Sequence, residues 1–237
     1  MHSEFTTEEN HTTAPVSDGS MKTLSQVGYL SALLSGTLAI LWMVSVAIQN
    51  ILSPSMPWSG IEAYAASFSF IKLINLIPAL ALAPAYLVMM VSVYSATPSE
   101  NKLWSMIGLA FTIVYVVMAS INYLIQLIAV GPALSVGETE GLALWAGDNF
   151  HSIFWALANS YSYMSVGMFF TAWAFGKGRL EWGIRRTFMI VGATAPLQFA
   201  FSFTSDLVVG IPGLIAWVIG TPLVCFLLTA WFRRMAT

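Results

Sequence analysis

Long apolar runs, separated by short stretches of polar, proline and glycine residues, organise this chain of 237 residues. The runs fall at 27–49, 62–95, 103–130, 148–175, 187–208 and 214–231. A helix crosses a bilayer with roughly 20 residues, so the pattern predicts an all-α, polytopic membrane protein built as a six-transmembrane-helix bundle. The second run is too long for one straight crossing, and its first part is expected to lie in the membrane interface. Pro78 and Pro84 should kink that run, Pro196 should bend the fifth, and Gly220-Thr221-Pro222 the sixth. Pro54, Pro57 and Gly60 mark the first loop, and Gly210, Pro212 and Gly213 a tight turn at 209–213. Residues 1–20 are polar with no hydrophobic period and read as a disordered tail, leaving 21–237 as one transmembrane domain.

Composition narrows this further. Hydrophobic residues make up 57% of the chain and charged ones only 8%, against about 25% charged in a soluble domain. The net charge of -2 gives no basic field for nucleic acid. A cleaved signal peptide ending near Ser45-Val46-Ala47 is the competing reading of the first run, but an acidic leader and a long apolar core favour a retained helix. Asn10-His11-Thr12 matches a glycosylation sequon by chance in a Thr-rich tail. Cys225 has no partner for an internal disulfide.

Charge placement sets the orientation. Eight of the nine basic residues, Lys22, Lys102, Lys177, Arg179, Arg185, Arg186, Arg233 and Arg234, fall in the tail, the second loop, the fourth loop or the C-terminus. The first, third and fifth loops hold none. The positive-inside rule then places both termini in the cytoplasm. The ninth, Lys72, lies inside a run.

Polar residues inside spanning helices must face protein or water. Thr194, Gln198, Ser202 and Asp206 repeat every four residues, as do His151, Trp155, Asn159 and Tyr163, and Asn122 and Gln126 form a third pair. At ~1.5 Å per residue, Asp206 sits ~28 Å above the start of the fifth run, near the outer surface. By the same reckoning Lys72, Asn122, Asp148 and His151 lie in the outer half, with Asn75 and Asn159 deeper. Runs two to five are therefore expected to enclose an outward-facing polar pocket, with Lys72, Asn75, Asn122, Gln126, Asn159, Gln198, Ser202 and Asp206 as ligand-binding residues. Lys72 and Asp206 are its expected charge pair. Each has a plainer reading. Lys72 as a snorkelling side chain, Asp206 as a solvated acid beside a loop, and the amides as interhelical glue worth ~0.6 kcal/mol each account for the same residues. The aromatic members of the fourth-run stripe read as packing.

Chemical motifs are sparse. Asp148 and His151 are spaced for an acid–base pair, or, with Glu62 or Asp206, for a mixed metal site. The plainer reading makes Asp148 a helix N-cap and His151 an interface residue, with no metal, since His2 and His11 lie in the tail. No phosphate loop or dinucleotide fingerprint is present, and no cofactor is expected. Tyr161-Ser-Tyr163, Gly167-Met-Phe-Phe170, Gly176-Lys-Gly178 and Met189-Ile-Val-Gly192 resemble the uncharacterised six-helix membrane family known as DUF4386-like. That resemblance implies a prokaryotic cytoplasmic (inner) membrane and no activity. Three functions stay open: a pocket that binds or transports a small polar or ionic ligand, for which a homo-oligomer could supply a transporter's second half; an interaction protein with no cavity; and an intramembrane enzyme using Asp148 and His151.

Overall fold

The computed structural model describes residues 18–235. The sequon and the first seventeen residues of the expected tail lie outside the described residues. Those described form helices and turns, with no strand among them. Five helical stretches are long and apolar enough to cross a membrane: Gly19–Leu52, Phe70–Ala96, Ser99–Ser135, Arg179–Thr204 and Leu207–Met235. Their outward faces carry Leu34, Leu41, Val117, Ile190 and Ile219, all exposed. An all-helical chain with five such helices is built as a multi-pass membrane protein.

The first helix, α1 (Asp18–Leu52), starts well before the apolar run. Once nucleated, a helix propagates at little cost through residues that carry no breaker, so residues 18–20 are helical rather than part of a tail. A short helix, α2 (Ile61–Ala66), and a 3-10 turn at Phe70–Leu73 precede α3 (Leu76–Ala96). The long second run is thus divided, as its length requires. Pro78 falls in the first turn of α3, where its missing N–H costs nothing, so only Pro84 is interior. The next helix, α4 (Lys102–Ile125), continues through a π-helical turn, Gln126–Val130, into α5 (Gly131–Ser135).

The fourth run departs most from expectation. Residues 148–152 form turns rather than a helix start. The Asn149 side chain accepts from the His151 N–H and donates to the Ala143 carbonyl, holding the backbone out of the helix. Ser152, not Asp148, caps α6 (Ile153–Ala158), accepting from the Trp155 N–H. The helix breaks at Asn159 and resumes as α7 (Ser160–Thr171), followed by a 3-10 turn at Ala172–Ala174. These pieces are individually too short to count among the five long helices.

The fifth run begins earlier and ends earlier than its hydropathy suggests. Its first helix, α8 (Arg179–Ala193), includes the basic residues; it stops at Thr194, and α9 (Ala195–Thr204) restarts with Pro196 in its first turn. Ser205, at φ 53, makes the reversal into α10 (Leu207–Met235). No tight turn occurs at 209–213, because Gly210, Pro212 and Gly213 all lie within α10. One residue in the left-handed region suffices to turn the chain.

Neighbouring helices run antiparallel. The Ser25 hydroxyl near the start of α1 donates to the Phe232 carbonyl near the end of α10 over 2.6 Å. Gly108 at the start of α4 abuts Thr171 at the end of α7, while Tyr123 near the end of α4 meets Tyr161 near the start of α7. Gly220 of α10 packs on Val191 of α8. Small residues permit these approaches, as in membrane bundles generally. Tyr86, Tyr115, Met89, Met164, Met168, Phe188 and Phe232 fill the core between them.

A Cβ added at Gly192 would lie 2.6 Å from backbone atoms of Phe169. Gly192→Ala should therefore lower the melting temperature of the detergent-solubilised protein, with an overpacking cost of about 1–3 kcal/mol. Gly183→Ala, whose nearest neighbour would be Leu227 Cδ1 at 3.8 Å, should leave it unchanged or raise it slightly.

Candidate functional site: a cavity bordered by a buried ion pair

The helix break at Asn159 and the start of the π-helical turn at Gln126 face one cavity of about 390 Å³, within the range of small-molecule sites. Its wall comes from α1 and α10 as well as the middle helices, so it is not confined to runs two to five. Trp42 and Gln49 come from α1, Gly213 and Trp217 from α10, and Tyr123 from α4. Phe154, Trp155 and Asn159 come from α6 and the break after it. Aromatic rings dominate: Trp217 packs edge-on against Trp42 and Tyr161, with ring centroids 5.0 and 4.9 Å apart. Trp155 stacks on Phe150 and meets Phe201 edge-on. The pocket is thus more aromatic than the expected polar one.

Lys72 is the buried charge. It sits in the 3-10 turn before α3, with its side chain 5% exposed, so it does not snorkel. Its Nζ donates to Asp148 Oδ2 at 3.1 Å and to Ser67 Oγ at 3.4 Å, and lies 4.4 Å from the Tyr64 ring centroid. The expected Lys72–Asp206 pair is therefore replaced by Lys72–Asp148. Asp148 is free to turn inward because residues 148–152 are not helical. Burial, then the Asp148 carboxylate, push the Tyr64 phenol up to about 12, a contact with the Gly147 backbone opposing them. Tyr64 is thus neutral beside the pair.

Asp206 is exposed and outside the cavity wall. Its Oδ1 accepts from the Val208 N–H at 2.9 Å and caps α10. The four-residue stripe of the fifth run fails at that point because α9 ends at Thr204. Its middle holds: Gln198 lines the cavity and donates to Ser165 Oγ and Thr194 Oγ1, both at 2.9 Å. A Cβ at Gly213 would lie 2.5 Å from Gln198 Cγ, so that glycine makes room for the amide. Ser202 also borders the cavity.

Lys72, Asn75, Gln126, Asn159, Gln198 and Ser202 thus converge on one space. Asn122 does not: it is fully buried and donates to the Phe154 carbonyl at 3.1 Å, tying α4 to α6. Gln126 donates to the Trp145 carbonyl at 2.9 Å, holding the loop before α6. His151 is exposed and Asp148 is engaged by Lys72, so the two do not form the acid–base pair considered from their spacing. Glu62 accepts from Thr139, and no cluster of three or more metal-ligating side chains occurs among the described residues. The aromatic wall escaped sequence reasoning. Trp42 and Trp217 lie mid-run, away from the interface positions tryptophan favours, and that displacement was its one visible sign.

Asp148→Ala leaves the Lys72 ammonium buried without a counter-charge and should cost about 3–5 kcal/mol in unfolding experiments. Asp206→Ala removes only a helix cap and should cost about 0.5–2 kcal/mol.

No family model, no curated protein and no solved structure matches the chain.

Proposed function

We propose that this protein crosses the membrane six times with both termini in the cytoplasm, and that the cavity is an outward-facing binding pocket for a small molecule. The observation that carries this reading is the position of the cavity. Lys72 and Asp148 border it, while no other basic residue among those described lies on its wall. Lys22 lies near the start of α1, Lys102 at the start of α4, and Arg233 and Arg234 at the end of α10. The antiparallel contacts put those ends together. The broken run α6–α7 supplies the sixth crossing, since its pieces span residues 153–174 in one direction along α4. A prokaryotic cytoplasmic membrane suits this charge bias.

Transport is a second reading, supported by the two interrupted helices. Spanning helices broken beside a cavity are how many transporters build substrate sites. Tyr123 and Tyr161 line the cavity, and the rings of Tyr161, Tyr115 and Tyr86 follow one another at 5.8 and 5.9 Å into the packed half. The hydroxyls of Tyr115 and Tyr86 are buried there with no hydrogen-bond partner among the described residues. The densely filled core beyond them favours binding over an open channel.

Cysteine accessibility tests the proposal. In a Cys225→Ala background, Ala158→Cys, on the cavity wall and half-buried, should react with a small charged methanethiosulfonate added outside intact cells. Ser165→Cys, fully buried and off the wall, should not. An unreactive Ala158→Cys, or one reached only from the cytoplasmic side, would contradict it.

A further inference from the structure

We infer that the cavity selects a neutral, flat, mainly apolar molecule carrying a hydroxyl or N–H donor, and rejects organic anions and cations of the same size. The inference rests on the binding-pocket reading above and adds the chemical class of the ligand.

The charge inventory is the starting point. Lys72 and Asp148 are the only charged residues on the cavity wall among those described, and they are paired with each other. An ammonium has three N–H donors. The Asp148 carboxylate, the Ser67 hydroxyl and the face of Tyr64 occupy the directions around Lys72 Nζ. An anion entering the cavity would have to displace Asp148 from that shell and would then face its carboxylate. A cation would share one carboxylate with an ammonium already bound to it, and no second acid is present to balance it. Like charges in a medium of low dielectric repel strongly. A neutral guest disturbs neither half of the pair.

The remaining wall describes the guest's shape and polar groups. Trp42, Trp155, Tyr161, Phe201 and Trp217 offer ring faces and edges to a flat apolar body. Asp148 binds Lys72 through Oδ2, and its Oδ1 has no partner among the described residues. That oxygen accepts from a donor on the guest, as a carboxylate whose charge is already countered still holds unused lone pairs. The Asn75 amide borders the same space.

Three probes of equal shape separate the possibilities: 1-naphthylmethanol, 1-naphthylmethylammonium and 1-naphthoate. Each is titrated calorimetrically at neutral pH into the purified full-length protein in detergent, and into Ala158→Phe, which fills the cavity. A gentler variant, Ala158→Leu, serves where Ala158→Phe does not fold. The heat difference between wild type and variant isolates the site from partition into micelles. The alcohol should bind the wild type at least tenfold more tightly than either ion, and lose at least tenfold in the variant. An ion that binds as tightly as the alcohol, with the same loss in the variant, overturns the charge selectivity while leaving the pocket intact. Absence of a variant-sensitive signal for all three probes overturns the pocket and this inference together.

Discussion

An ammonium inside an apolar bundle must be met by a counter-charge, and the architecture around Lys72 follows from that requirement. The charge sits on a 3-10 turn, below a short helix that supplies Tyr64, and reaches a carboxylate 76 residues away in the chain. A buried charge in a membrane bundle costs several kcal/mol if left alone. The partner comes from a stretch of turns, where Asn149 holds the backbone out of a helix. The turns at residues 148–152 and the late start of α6 accompany the pairing.

The same economy of backbone irregularity explains where the cavity lies. Unpaired backbone groups are tolerated in a membrane only where protein or a cavity satisfies them. The break at Asn159 and the start of the π-helical turn at Gln126 border one space, and the break at Thr194 is tied to it through Gln198. Polar side chains stitch these breaks: Ser162 donates to Asn159 Oδ1, Gln198 spans Thr194 and Ser165, and Gln126 holds the Trp145 carbonyl. Gln126 and Gln198 therefore hold irregular backbone in place while facing the cavity. Elsewhere glycine contacts and large buried side chains close the bundle tightly, so the space is local.

Much of the membrane architecture was legible in the residues. Five of the six apolar runs correspond to long helices, and Lys72, Gln126, Asn159 and Gln198, from runs two to five, line one cavity. Two of the departures share a cause, the treatment of an apolar run as one regular helix. Asp206 was carried into the pocket by a four-residue repeat that stops at Ser205, where the backbone turns left-handed. Asp148 was read as a cap because Asn149 and Ser152, which shape that turn, resemble any polar loop residues. The tight turn at 209–213 was drawn from glycine and proline that α10 absorbs. The contribution of α1 and α10 to the wall was hidden because Trp42 and Trp217 look like core residues until the fold brings them together.

The most direct test of the account is an exchange of the paired charges. Lys72→Asp and Asp148→Lys should each lower the melting temperature of the purified protein, since each places two like charges in one buried space. The double exchange, Lys72→Asp with Asp148→Lys, should recover more than half of the loss, because an ion pair is restored in the same position. Losses in the double variant equal to the sum of the two single losses would show that these side chains do not meet, and the account of the cavity built on them would fail.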